Sequence, residues 1–341
     1  MRILVGGGAG FIGSHFAESA CARWPRASVT VLDNLSYAGV TANLDGLRRN
    51  PRFRFVRGDI CDRRLVERLL KETDLLVNFA AETHVDRSLL SAGAFLRTGA
   101  LGTFTLVDAA RVTGRVKRLV LMSTDEVYGP VLSGAADEAA PLRPSSPYAA
   151  AKAAGDLVAL SYARSFGLPV IVPRACNIYG PRQFPEKLIP LFATNAWLGL
   201  PLPVYGDGRQ EREWLHVDDA VRALVALCRR GTPGRVYNIG SGTWRRNILV
   251  ARRILRRLDR PASLIRHVAD RPGHDRRYAI RGRAIRALGW KPAVGFEAGL
   301  DRTVDWYRAH AAWWKPLRAR TTAYLAAQYG WRLGKGARRW R

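Results

Sequence analysis

The chain is 341 residues long, 48% hydrophobic and 24% charged, a composition that should bury a sizeable core as one large domain or two intimate ones. No apolar run reaches the roughly 18 residues that span a bilayer, and a strand-like segment already begins at Arg2, so a membrane partner and a signal peptide are not expected and a cytoplasmic protein is. The net charge of +27 comes from 48 Arg and 7 Lys, scattered in pairs such as Arg48-Arg49 and Arg256-Arg257 rather than gathered into a stripe, which argues against a nucleic-acid partner.

In chain order the first half alternates two patterns. The near-continuous apolar runs "RILVG", "SVTVLD", "FRFVRGD", "LLVNFA", "RLVLMS" and "LPVIVPRA" read as strands. Helical stretches fall around 11–24, 62–72, 91–114 and 147–166, the last opened by Pro147 and ended by Gly167 and Pro169. This alternation predicts an α/β fold, a Rossmann-type doubly wound parallel sheet covered on both faces, over residues 1–177. A helix at 217–230 and the strand "RVYNIG" should rejoin that sheet, within about 213–240. Loops rich in Gly, Pro and charge fill 178–212 and 241–325, predicting a smaller α/β substrate-binding lobe, and 326–341 reads as a basic tail. Cys21, Cys61, Cys176 and Cys228 lie far apart with no C-x-x-C pair, so neither a metal nor a disulfide framework is expected.

Gly7, Gly10 and Gly13 sit between the first strand and the first helix, the context of a dinucleotide fingerprint. They allow a tight turn, close approach to a pyrophosphate and close helix packing at a helix N-terminus. Asp33 closes the second strand 20 residues after Gly13, where a carboxylate can hold both hydroxyls of an adenosine ribose; Asn34, not Arg, follows, which favours NAD over NADP. Asp59 fits a place beside the adenine or a helix cap. Tyr148 and Lys152, four residues apart on one helix face, suit a phenol whose pKa is lowered by the ammonium and by the positive ring of NAD+. Ser123 and Thr124 close the fifth strand, and two acids, Asp125 and Glu126, follow at once.

Together "GGAGFIGSH", "AAETHVDRS", "STDEVYG", "SPYAAAKAAGD", "NIYGPRQFPEKLIP" and "RPGHDRRYAI" resemble, in order, the signatures of the dTDP-glucose 4,6-dehydratases, within the extended short-chain dehydrogenase/reductase family. The resemblance runs from residue 1 to about 317. It implies a nucleotide-sugar substrate, C4 oxidation by Tyr148 with Lys152, hydrogen bonding of the C4 oxygen by Thr124, and elimination across C5 and C6 with Glu126 as base and Asp125 as acid. It adds Phe11, Ile12, Ser36, Ile60, Ala80, Ala81 and Thr98 to the cofactor set. It implies substrate contacts from Thr83, His84, Asn177, Glu186, Lys187, Arg212, Asn247, Arg271, His274 and Tyr278, with Arg212 and Arg271 on the diphosphate and Tyr278 near the nucleobase. A homodimer through a four-helix bundle of the helices at 91–114 and 147–166 is implied as well.

The chain departs from that pattern at Gly6 for Thr, Gly99 for Asn, Val40 for Asn, Trp244-Arg245-Arg246 for an acid-containing stretch and Arg281 for Asp. The first two weaken the expected support for the cofactor, and the last two leave nucleobase and sugar preference open. The nearest rivals are a UDP-sugar 4-epimerase or decarboxylase of the same family, in which an acid pair for elimination has no task. A catalytically silent NAD-binding scaffold with a basic surface is the reading from another class.

Overall fold

The first strand, β1 (Arg2–Gly6), leads through the glycine turn into α1 (Phe11–Arg23), and β2 (Ser28–Asp33), β3 (Phe53–Arg57), α2 (Arg63–Leu70) and β4 (Leu75–Asn78) complete the first half-sheet. After α3 (Val85–Leu90), a helix runs from α4 (Gly93–Leu96) through a π-helical turn at Arg97–Gly102 into α5 (Thr103–Thr113). The single helix expected over 91–114 is therefore broken by a widened turn. Next come β5 (Arg118–Leu121), β6 (Ser123–Thr124), α6 (Pro147–Phe166) and β7 (Val170–Ala175). The computed structural model describes residues 1–330.

Ser146 caps α6, its hydroxyl accepting the Ala149 amide, and Gly167 ends it at φ 64°, as the Pro-then-Gly reading requires. The parallel sheet has the order β7-β5-β4-β1-β2-β3. Alternate residues of each strand face opposite cores: Ile3, Val5, Val29, Val31 and Val77 pack with Phe16 of α1, while Leu4, Leu32, Leu76 and Leu119 pack with Val66 of α2 and Leu106 of α5. Covering both faces explains why these strands are apolar throughout.

The second half supplies β8 (Asn177–Tyr179), α7 (Leu188–Trp197), β9 (Leu202–Tyr205), β10 (Glu211–His216), α8 (Val217–Arg230), β11 (Arg235–Ile239), β12 (Trp244–Arg246), α9 (Asn247–Arg257), β13 (Ile265–Val268), α10 (Arg283–Ala287), α11 (Phe296–Ala309) and α12 (Ala311–Gly330). The helix α8 joins the first core and β11 pairs with β7 in parallel, so both rejoin the main sheet. Residues 213–216 do not: they lie in β10, between β8 and β12 in a separate three-stranded sheet, because β8 turns away from the end of β7 and offers its edge there. The lobe's own core gathers Phe192, Ile254, Leu300, Val304 and Trp314.

The expected tail is also corrected. Residues 326–330 finish α12, and 331–341 lie outside the described residues. Trp314, Leu317, Thr321, Leu325 and Gln328 are all buried, a three-and-four spacing legible in the sequence that marks a packed helix. Among the described residues no helix is long and apolar enough to cross a membrane.

Candidate active site

One continuous cleft opens at the carboxyl ends of the main strands, where open α/β sheets bind their ligands. All the residues expected around the cofactor line it: Gly7, Gly10, Phe11, Ile12, Gly13, Asp33, Asn34, Ser36, Asp59, Ile60, Ala80, Ala81, Thr98, Ser123, Tyr148 and Lys152. The glycine turn has no room for side chains. Gly7 adopts φ 68°, and a Cβ on Gly13 would stand 2.3 Å from the Gly7 carbonyl oxygen. The Asp33 carboxylate accepts the Ala9 amide at 2.9 Å and the Leu35 amide at 2.8 Å, tying the glycine turn to the end of β2. Asp59 accepts the Cys61 amide, whereas Asp62 is the side-chain cap of α2, so the alternative of Asp59 as helix cap falls away. These features fit a dinucleotide: bare backbone amides at a helix N-terminus with a carboxylate beyond them.

Two departures are explained by neighbours. A Cβ on Gly6 would lie 2.4 Å from the Asn78 carboxamide oxygen, which accepts the Ala80 amide; glycine at position 6 leaves room for that hydrogen bond. A Cβ on Gly99 would meet the Ala151 carbonyl at 2.9 Å, so glycine there lets the π-helical turn press against α6.

Farther along the cleft stand Thr124, Asp125, Glu126, Tyr148 and Lys152. Thr124 Oγ1 accepts the Glu126 amide at 3.3 Å and donates to Asp125 Oδ1 at 3.2 Å, pinning a short 3-10 turn at Asp125–Tyr128. The two acids differ in surroundings. Burial, then Glu126 and Glu213, push the Asp125 carboxyl well above the usual carboxylate range. Burial raises Glu126 too, but Arg271, Arg212 and Lys187 draw it back down.

Burial, then the charge of Glu126, raise the pKa of the Tyr148 hydroxyl, which has Thr124 as a hydrogen-bond partner. Lys152 donates to the Met122 carbonyl, and burial lowers its own pKa. The protein's own groups thus hold the phenol protonated, because low dielectric disfavours both charged forms.

Sequence reasoning missed the support behind Lys152. Asp156, one helical turn on in the same "AKAAGD" stretch, pairs at 2.9 Å with buried Arg174, which also donates to the Tyr128 hydroxyl. Arg174→Ala strands a buried carboxylate and is expected to cost about 3–5 kcal/mol in urea unfolding; a loss below about 1 kcal/mol would show that the pair carries no stability.

Of the expected substrate residues, Thr83, Asn177 and Lys187 line the cleft. His84 does not: its ring is buried behind Thr83, with Nδ1 on the Tyr324 hydroxyl at 3.1 Å. Glu186 is turned to Arg87 at 2.8 Å. Asn247 is buried at the start of α9, and His274 bonds Asp270. Arg271 pairs with Asp86 at 3.2 Å, and Arg212 stacks on the Tyr278 ring at 4.5 Å; both cations bear on Glu126. The Trp244 indole donates to the Tyr278 carbonyl at 3.2 Å, so that departure props Tyr278. The Arg281 side chain is exposed.

The comparisons with known proteins agree with this geometry. Residues 4–303 match the family model described as GDP-mannose 4,6 dehydratase. The chain is 51% identical over 324 residues to the dTDP-glucose 4,6-dehydratase of Streptomyces niveus, covering 94% of this chain and 96% of that one. It is 50% identical, with a TM-score of 0.90, to the dTDP-glucose 4,6-dehydratase DesIV of Streptomyces venezuelae, solved with NAD bound, covering 93% of this chain and 100% of that one. A UDP-glucose 4-epimerase of Thermus thermophilus in complex with NAD is more distant: 34% identical with a TM-score of 0.84, covering 91% of this chain and 100% of that one.

Proposed function

The chain belongs to the GDP-mannose 4,6 dehydratase family, and from that membership we propose that it dehydrates a nucleoside-diphosphate hexose, dTDP-glucose, to the 4-keto-6-deoxy sugar with NAD as cofactor. The observation that carries the reading is the acid pair: Asp125 and Glu126 share one turn beside Tyr148, with Arg271, Arg212 and Lys187 drawing Glu126 down while Glu126 and Glu213 push Asp125 up. Elimination of water needs one carboxyl protonated and one ionised at the same pH.

The glycine turn, Asp33 and the cleft wall from Ile60 to Thr98, which line the cleft, would hold the cofactor. When bound, NAD+ would supply the acceptor for the C4 hydride and its return to C6, and a positive charge that favours the Tyr148 phenolate. Tyr148 takes the C4 hydroxyl proton, with Lys152 supporting the phenolate and Thr124 holding the C4 oxygen. The new ketone makes the C5 proton acidic, Glu126 removes it, and Asp125 protonates the departing C6 hydroxyl, which leaves as water. Glu126 then returns its proton to C5. Over the cycle Tyr148 has gained one proton and Asp125 has lost one; Thr124, hydrogen-bonded toward both, links them for the reset. Lys187, Arg212 and Arg271 supply cations for the diphosphate, and Tyr278 stands toward the base.

Incubation of the pure protein with dTDP-glucose and UDP-glucose tests this. A 4-keto-6-deoxy product is expected from dTDP-glucose; finding only a C4 epimer would replace the dehydratase by an epimerase, and no turnover of either sugar would favour the silent scaffold.

The protein acts as a homodimer in the cytoplasm in this reading. Leu96, Leu101, Phe104, Val112, Leu157 and Phe166 are exposed on α4, the π-helical turn, α5 and α6, an apolar surface suited to a four-helix bundle with a second copy. Leu157→Glu should yield a monomer by light scattering; an unchanged mass would remove this face as the interface.

A further inference from the structure

The second half of α12, from about residue 318, is seated against the wall of the substrate pocket. Leu325 is buried in the lobe core, and two side chains reach from the helix toward that wall. The Tyr324 hydroxyl donates to His84 Nδ1 at 3.1 Å, leaving Nε2 to face the Glu186 carbonyl at 3.4 Å. The Tyr324 ring covers the Arg87 guanidinium at 3.9 Å, and Tyr37 lies 4.3 Å from the same group. Thus held, Arg87 pairs with Glu186, next to Lys187 in the cleft. Along the second path the Gln328 carboxamide donates to the Tyr205 hydroxyl at 3.1 Å, Tyr205 donates to Asp86 at 2.5 Å, and the other Asp86 oxygen holds Arg271.

A third contact involves a family departure. Val40, where the family has Asn, is buried against Phe184 and Leu317, and Phe184 itself lines the cleft. The apolar residue at position 40 suits a wall backed by a helix rather than by water.

We propose that the C-terminal helix is a positioning element of the substrate pocket, in which Tyr324 holds the Arg87–Glu186 pair behind Lys187 and Gln328 holds Arg271 through Tyr205 and Asp86, so that Lys187 and Arg271 are set in the orientation that receives a nucleoside diphosphate. This rests on the dehydratase reading. The mechanism is pre-organisation: a guanidinium already hydrogen-bonded to a fixed carboxylate, as Arg271 is to Asp86, loses little freedom when the diphosphate arrives.

The double variant Tyr324→Leu/Gln328→Ala is compared with the full chain for dTDP binding by calorimetry and for steady-state turnover of dTDP-glucose. The dTDP Kd and the KM should rise about tenfold, as when an ionic hydrogen-bond partner loses its orientation, while kcat changes less than about threefold and NAD affinity stays put. Tyr324→Phe alone, which keeps the ring over Arg87, should recover part of the loss. A chain ending at residue 317 should match the double variant if it folds; the double variant decides the matter if it does not. Unchanged Kd and KM in the double variant, or an equal fall in NAD affinity, would reduce the helix to a structural prop. Failure of the full-length protein to bind dTDP would instead overturn the dehydratase reading, and the pocket role with it.

Discussion

Tyr148→Phe lowers oxidation at C4 by roughly 10³-fold while leaving the fold and dTDP binding intact, the size expected for loss of a positioned proton acceptor. The ring stays in its edge contact with Phe95 at 6.3 Å, so the change removes one oxygen and no packing. No other group on α6 can take its place, since Lys152 is bound to the Met122 carbonyl and reaches the reaction only through the phenol. Burial, then the charge of Glu126, raise the Tyr148 pKa, so the phenolate forms only with help from added positive charge, and the rate should climb with pH until the phenol is ionised in the ternary complex. Single-turnover formation of the 4-keto sugar measures the effect. More than about a tenth of the wild-type rate in Tyr148→Phe would transfer the proton to another acceptor.

The main sheet and the cofactor wall were legible because each rests on local pattern. Apolar runs of five or six residues alternating with helical stretches read as strands covered on both faces, and Gly7 and Gly13 announce a turn in which a Cβ has no space. Helices with end signals, such as α6 between Pro147 and Gly167, came out to the residue. What stayed hidden depends on long-range partners. Nothing near Arg87 in the chain announces Tyr324, 237 positions away, and nothing near Asp125 announces Glu213. The substrate set was legible as residue types but not as orientations: His84 and Glu186 turn from the cleft because Tyr324 and Arg87 compete for them. The smaller rise at Glu126 than at Asp125 likewise follows from cations brought in by β10 and by the loop at 271, which spacing does not encode.

Asp125→Asn and Glu126→Gln should both abolish the 6-deoxy product, by about 10²–10⁴-fold, and should differ in what they leave behind. With Glu126→Gln the sugar is oxidised and stops, so acid quenching yields a 4-keto sugar that keeps its C6 hydroxyl and takes up no deuterium at C5 from heavy water. With Asp125→Asn the C5 proton still comes and goes through Glu126, so the same 4-keto sugar exchanges C5 with solvent but cannot expel the C6 oxygen. The pH profile follows from the same asymmetry. Turnover requires Glu126 ionised, so it falls on the acid side as that carboxylate gains a proton, at a pH above the ordinary carboxylate range because burial raises it. It requires Asp125 protonated, so it falls on the alkaline side as that carboxyl, held well up by burial and its two acidic neighbours, finally ionises. The order of the two limbs follows from the surrounding charges: Arg271, Arg212 and Lys187 act on Glu126, whereas at Asp125 Glu126 and Glu213 outweigh Arg212. Exchange at C5 in Glu126→Gln together with its loss in Asp125→Asn would reverse the two roles.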